Sequence, residues 1–226
     1  SVTHGTPLPP NRNELVSILN AIKKLNLKFV VLTSPNRDDL ADGGAQHYAY
    51  IVTEIKKHYP NVKVEVLIPD FQADINALNT VIKANPDVIN HNMETVPSLY
   101  TIARKGSLFN RSLDVLKHIK DVNQSMLTKS GLMVGLGETT TELLQTMEVI
   151  KTANVDILTL GQYLQPTKDN LEVAKYYTPE EFEQLKEAGL KMGYRFVFSG
   201  PMVRSSYLAD SIFEKTVENE LVQQLL

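Results

Sequence analysis

Polar side chains gather at Asn90-His91-Asn92-Met93-Glu94-Thr95, directly after the apolar residues Val88 and Ile89. Amide, imidazole and carboxylate groups at one strand end can fix a polar ligand through directed hydrogen bonds. A lone histidine such as His91 more often serves a core than a reaction, but the whole cluster at a strand end fits a packing role less well. The second such stretch is Thr128-Lys129-Ser130-Gly131-Leu132-Met133-Val134-Gly135-Leu136-Gly137-Glu138. Here an apolar strand joins a buried-looking lysine to a glycine turn, and glycine lets backbone approach a ligand closely or take positive φ. A strand that runs through such a turn into a helix sets amide donors beside its C-terminal end. The glycines alone read equally well as a tight connection with no ligand. Arg111 stands near the start of a predicted helix, where a cation is poorly placed for the helix dipole. Either a carboxylate ligand or a surface ion pair accounts for it. Gln162 lies in a further strand-into-polar-loop stretch, and Arg204-Ser205-Ser206-Tyr207 precedes the tail.

The elements that must position these residues follow from periodicity. Asn11 or Asn13 can cap a helix carrying Leu15, Ile18, Leu19, Ile22 and Leu25 at helical spacing. Strands are predicted at 28–33, 63–67, 88–90, from about 128 to 134, from 157, and at 195–198, with helices at about 45–58, 75–84, 110–122, 139–153 and 178–192. Leu143, Leu144, Met147, Val149 and Ile150 supply the apolar face of the fourth of these helices, and Thr178 with Glu181 forms a capping box for the last. A tail helix is predicted at 212–226. The loop at 34–44 is long and acidic, with Asp38, Asp39 and Asp42 as solvated or capping groups. Alternation of helices with about six strands indicates an α/β fold of parallel βα units. Both barrels and open α/β sheets put their sites at the strands' C-terminal ends, and periodicity does not choose between them.

The 226 residues suit one domain, 1–226. A net charge of -3 offers no general field for nucleic acid or an anionic membrane. No apolar run approaches the roughly 18 residues that a membrane-crossing helix needs. With no cysteine, these residues supply neither a disulfide nor a thiolate nucleophile or metal ligand.

Taken together, several segments resemble the lipoyl synthase family of radical S-adenosylmethionine enzymes. They are 31–44 with Arg37-Asp38-Asp39-Leu40 and Asp42-Gly43-Gly44, 90–97, 128–138, 161–166 and 200–207. Their joint order is the specific signal, and it covers nearly the whole chain. The resemblance implies a partial (β/α) TIM-like barrel whose N-terminal part is absent, with 200–226 as a cluster-capping segment and tail. It implies S-adenosylmethionine as cofactor, two [4Fe-4S] clusters, and insertion of two sulfur atoms at C6 and C8 of a protein-bound octanoyl group. The implied partners are octanoylated lipoyl-carrier domains of 2-oxoacid dehydrogenase complexes or the glycine cleavage H protein, with ferredoxin or flavodoxin as electron donor. A cytoplasmic location, or a mitochondrial one in a eukaryote, goes with them.

By motif, Asn90, Asn92, Glu94 and Lys129 are expected around the polar groups of S-adenosylmethionine, Arg111 at its carboxylate, the backbone of 131–138 with Gly135 beside the nucleoside and Glu138 supporting that loop, and Gln162 in the strand-end loop facing the same cavity. Ser206 matches the family's serine ligand to the auxiliary cluster. The departures are the absent cysteines, expected to precede Ser1, together with Lys105 where proline is usual and Asn36 where aspartate is usual. Without them these residues are expected to be inactive alone. Two other readings compete: a Schiff-base barrel lyase acting through Lys129, and a non-catalytic relative that binds the carrier domain.

Overall fold

The computed structural model describes residues 7–204 and residue 206. Six strands form one sheet in the order β1-β2-β3-β4-β5-β6, every neighbouring pair parallel. They are β1 (Phe29–Thr33), β2 (Lys63–Leu67), β3 (Val88–Asn90), β4 (Leu127–Val134), β5 (Ile157–Gln162) and β6 (Phe196–Gly200). The helices are α1 (Glu14–Leu25), α2 (Ala45–His58), α3 (Ile75–Lys83), α4 (Tyr100–Ala103), α5 (Phe109–Val122), α6 (Thr140–Lys151) and α7 (Pro179–Lys191). β1 and β6 do not pair with each other, so the sheet is an unclosed, partial barrel.

Strand alternation divides the side chains between two environments. On the outer face, Val64, Val66, Ile68 and Ile89 pack with Val52, Ile55, Val81 and Ile119 of the helices. Leu132, Val134, Leu158, Leu160 and Val197 do the same against Leu143, Met147, Phe182 and Leu185. On the inner face the floor is apolar: Val88, Ile157 and Phe196 pack with Phe29, Leu127 and Phe198. Two residues further along the strands the inner face becomes polar, at Glu65, Asn90 and Lys129. That change of tier is what places chemistry inside the barrel.

The lower ends are pinned by two aspartates in equivalent positions. Asp87 accepts from the Val64 amide at 2.9 Å and pairs with Lys63 and Lys56. Asp156 accepts from the Thr128 amide at 2.8 Å and pairs with Lys120 at 2.6 Å. Each carboxylate thus ties the start of one strand to the loop that leads into its neighbour. Thr178 caps α7 in the predicted box with Glu181, with Pro179 as first helical residue.

Two local expectations change. Of the two candidate caps, Asn11 is the one whose side chain accepts, from the Asn13 amide at 3.0 Å, while Asn13 already has helical backbone (φ -69°, ψ -15°) and makes no side-chain capping bond. Val149 is 39% exposed, off the buried stripe of Leu143, Met147 and Ile150. Between β2 and α3, Phe71, Gln72 and Ala73 take φ of 46, 51 and 66°, a left-handed turn costing roughly 1–2 kcal/mol per residue. The turn is offset by burial of Phe71, whose ring lies against Gly43 of the β1–α2 loop: a Cβ there would come within 2.8 Å of Phe71 Cδ1.

Candidate active site

The upper ends of β3, β4 and β5 enclose a cavity of about 440 Å³ lined by Leu67, Asn92, Glu94, Gly131, Met133, Thr159, Gly161, Gln162 and Tyr163 with Leu164, Pro166, Val203 and Arg204. That volume suits a small-molecule ligand. Asn92 and Glu94 reach it through a bulge. Asn90 pairs with Lys129 and Glu94 bridges to Leu132, so β3 uses one residue more than β4 over this stretch. Glu94 takes φ 69°, its amide donates to Gly131 O at 2.8 Å, and its carbonyl accepts from Met133 N at 2.8 Å. Bulges re-aim side chains beside functional sites, and here the result is Asn92 Nδ2 donating to Glu94 Oε1 at 3.1 Å inside the cavity. Burial pushes the Glu94 carboxyl above its usual range, opposed first by the charge of Arg104 and then by Asn92. Asn92 Oδ1 is buried with no protein donor among the described residues.

Gly131 and Gly161 keep the opening clear. A Cβ on Gly131 would lie 2.6 Å from Thr159 Oγ1 and 3.0 Å from Asn92 Oδ1; one on Gly161 would lie 2.2 Å from Val203 O. The second close approach shows residues 200–204 folded across the top of β5. Ser206 follows as an exposed turn residue. Ser205 and the predicted tail helix lie outside the described residues.

One tier below, Lys129 is fully buried and its Nζ is 3.1 Å from the carboxylate of Glu65. Asn90 Nδ2 donates to the same carboxylate at 2.9 Å. This bond fixes the amide orientation and leaves Asn90 Oδ1 without a protein donor among the described residues. Burial raises the Glu65 carboxyl and lowers the Lys129 ammonium, each opposed by the other. Lys129 does not line the cavity and its amine is paired with Glu65, which removes the structural basis for a Schiff base. Glu65 was missed from the sequence. The signal was its place on the same strand face as Lys63, alternating with Val64 and Val66.

The glycine turn after β4 is also spoken for. Glu138 accepts from the amides of Gly135, Leu136 and Gly137 at 2.6, 2.9 and 3.1 Å. The expectation of free amide donors is corrected: one carboxylate occupies all three. Tyr177 OH donates to Glu138 at 3.1 Å, and burial together with that carboxylate raises its phenol, keeping it a donor. Gln162 Nε2 bonds the carbonyls of Val134, Tyr163 and Lys175, while Oε1 accepts from Tyr177 N. Gly135, at φ 98°, leaves room for that Gln162 amide and the Lys175 carbonyl. Glu138, Gln162 and Gly135 therefore build the rim loop.

Arg111 is not brought to the cavity. Its Nε donates to Asp70 at 2.6 Å in a separate cleft between α3 and α5, which is the surface-pair alternative. A different arginine reaches the bulge: Arg104 Nη1 lies 2.6 Å from Tyr100 OH, 3.0 Å from Asn92 O and 3.2 Å from Ser112 Oγ. His91 Nδ1 donates to Ile68 O at 2.9 Å, and burial pushes the imidazole down to about 4, so it is neutral near pH 7.

An unclosed parallel barrel with this polar cavity at its strand ends is a radical-SAM-type half-barrel, and the family model of the Radical SAM superfamily matches residues 3–150. Among solved structures, Streptococcus suis SuiB bound to S-adenosylmethionine matches at a TM-score of 0.66 and 10% identity, covering 92% of this chain and 47% of that one. Methylornithine synthase matches at 0.62 and 14%, covering 83% and 54%. At such identities they show the fold alone. Curated lipoyl synthases are far closer in sequence. That of Idiomarina loihiensis is 50% identical over 211 residues, 92% of this chain and 66% of that protein. That of Caldanaerobacter subterraneus subsp. tengcongensis is 49% identical over 210 residues, 93% of this chain and 74% of that protein. The chain belongs to the lipoyl synthase family of the Radical SAM superfamily. It spans slightly under two thirds of the length of the first of these relatives. No helix among the described residues is long and apolar enough to cross a membrane.

Proposed function

We propose that this chain forms the cofactor-holding barrel of a lipoyl synthase, which uses S-adenosylmethionine to insert two sulfur atoms at C6 and C8 of an octanoyl group on a lipoyl-carrier domain. The observation that carries the reading is the cavity itself: a buried, unpartnered Asn92 Oδ1 beside Glu94, over two glycines whose Cβ atoms would collide with its walls. Such a site supplies acceptors for the donor groups of S-adenosylmethionine and lets its flat nucleoside lie against backbone.

Asn92 and Glu94 would hold the polar end of that cofactor, and the loop built by Gly135, Glu138 and Gln162 would bound the nucleoside. When bound and reduced, S-adenosylmethionine supplies the hydrogen-abstracting chemistry. The protein's part is to fix its orientation, exclude water and present one C–H bond at a time. Asn90 and Lys129 act from below, stiffening the floor without touching the ligand.

Iron–sulfur clusters do not fit these residues alone. There is no cysteine in the chain, and among the described residues no three His, Asp or Glu side chains gather in a metal-holding group. Thiolate is the ordinary ligand of such clusters, so Ser206 offers at most one oxygen ligand. Thiolates from outside these residues are required for turnover. The carriers named by the family resemblance, 2-oxoacid dehydrogenase domains or the glycine cleavage H protein, belong to this reading, as does ferredoxin or flavodoxin as reductant. A cytoplasmic setting, or the mitochondrial matrix in a eukaryote, fits those partners.

Complementation tests the reading. The complete reading frame, expressed in a bacterium that lacks its own lipoyl synthase, is expected to restore lipoylated protein on immunoblots. The Asn92→Ala and Glu94→Ala variants are expected to fail at equal protein level. No rescue by the unmodified frame, with the protein soluble, would contradict it.

A further inference from the structure

Arg104 lies outside the cavity and next to its key bulge. It is the C-cap residue of α4, and its Nη1 is shared among Tyr100 OH, Asn92 O and Ser112 Oγ. Those partners are fixed in turn: Tyr100 is buried, packs edge-on to Phe109 at 5.4 Å, and donates to Ser112 at 3.1 Å. The guanidinium lies 5.5 Å from the Tyr100 ring centroid. A planar, permanently charged group is thereby clamped behind the backbone of Asn92. On the cavity side, the same residue's amide reaches Glu94 Oε1. We propose that Arg104 is a positioning residue: from behind the bulge it orients Asn92 and, through the Asn92 amide, Glu94 as acceptors for the ligand's donor groups. This rests on the proposed reading of the cavity and deepens it.

The electrostatics agree with the geometry. Burial favours a neutral Glu94, and Arg104 is the cation whose field opposes this. Arg204 lines the same cavity and its Nη1 donates to Val203 O at 2.8 Å. His91, on the opposite side of the bulge, feels Arg104, Asp70 and Arg111 and is held neutral by burial, down to about 4. Asp70 and Arg111 neutralise each other at 2.6 Å, as do Glu65 and Lys129 on the floor at 3.1 Å. Of these groups, Glu94 is the carboxyl that burial raises and the Arg104 charge opposes. Removing the guanidinium lets its carboxyl titrate upward, and each unit by which that midpoint exceeds the assay pH removes about tenfold of the ionised form.

The test is calorimetric binding of S-adenosylmethionine by the protein expressed from its complete reading frame, from about pH 6 to 9. Wild type, Arg104→Lys, Arg104→Gln, Glu94→Gln and the Arg104→Gln/Glu94→Gln pair are compared, with circular dichroism reporting folding. Arg104→Lys is expected within about threefold of wild type. Arg104→Gln should weaken binding about tenfold at pH 7 and recover steeply as the pH rises, following the ionised fraction. Glu94→Gln should weaken it without that recovery, and the second substitution should add less than about threefold, since coupled groups are not additive. An equal loss at every pH in Arg104→Gln, or full additivity in the pair, would overturn the inference while leaving the cavity reading intact. No binding by wild type at any pH would overturn the cavity reading and the inference with it. If Arg104→Gln does not fold, Arg104→Lys against wild type and the pH profile of Glu94→Gln still decide: a tenfold or greater loss in the lysine variant contradicts a role carried by charge.

Discussion

Replacing Lys129 by Met tests whether the barrel floor is held by a charge pair. In the wild type the Glu65 carboxylate, 1% exposed, receives Lys129 Nζ at 3.1 Å and Asn90 Nδ2 at 2.9 Å. The substitution keeps the volume roughly and leaves Glu65 with one neutral donor. Breaking a buried pair on one side costs about 3–5 kcal/mol, or a fall in Tm of roughly 6–20 °C for a chain of this size. The loss should depend on pH in a definite direction. Burial already raises the Glu65 carboxyl, and Lys129 is the first force opposing it. Without the lysine the folded form binds this proton more tightly than the unfolded chain does. The added instability is therefore largest above the raised folded midpoint and shrinks as the pH falls toward the unfolded value, about 4.3. Glu65→Gln/Lys129→Met removes the stranded charge and should regain most of the loss, because a neutral replacement of a buried pair is often close to neutral in stability. Urea and thermal unfolding from about pH 5 to 8 measure all of this. A Lys129→Met variant as stable as wild type, or a double variant no better than the single one at pH 7.5, would refute the reasoning.

Other substitutions separate the cavity from its supports. Glu138→Ala strands three amides at Gly135, Leu136 and Gly137; hydrogen exchange at those residues should rise and stability fall by about 1–3 kcal/mol, with Glu138→Gln intermediate. Gly161→Ala drives a methyl into Val203 O, so proteolysis after Arg204 should accelerate and Tm should fall, whereas Gly106→Ala, with nothing within 4 Å but φ 85°, should cost only the backbone strain of about 1–2 kcal/mol. Arg111→Gln loses a partly buried pair with Asp70; S-adenosylmethionine affinity should stay within about twofold and stability drop by about 1 kcal/mol. Borohydride with aldehyde or ketone substrates should trap no adduct at Lys129, by mass spectrometry of the digested protein.

What was legible in the sequence was local. The Thr178 box is closed by residues three positions apart, and both halves are visible in one glance at the chain. α2, β2 and β3 fall where periodicity put them, since each element is bounded by turn residues and patterned within itself. Partnerships across the sheet were not legible. Lys129 reads as buried, but Glu65 lies 64 positions away, and nothing in either neighbourhood links them. Arg111 reads as badly placed on a helix dipole, and its explanation, Asp70, is 41 positions off. The cluster at 90–95 was visible as a site, yet its division into a floor residue (Asn90), an outward imidazole (His91) and two cavity groups (Asn92, Glu94) depends on a bulge that strand alternation alone does not reveal. Arg104 went unweighted for the same reason: its backbone belongs to a short helix outside the barrel, and only the fold brings it behind Asn92.

The central claim, that this barrel orients S-adenosylmethionine for sulfur insertion, is tested most directly by an anaerobic single-turnover assay. Protein from the complete reading frame, reconstituted with iron and sulfide, is mixed with S-adenosylmethionine, a reductant and an octanoylated carrier domain, and the carrier is weighed by intact-protein mass spectrometry. The account predicts a gain of two sulfur atoms, carried as the dithiol under these reducing conditions and two hydrogens lighter once oxidised to the disulfide, and lost in Asn92→Ala. A carrier of unchanged mass, from protein that has taken up its iron and sulfide and cleaves the cofactor, would contradict it.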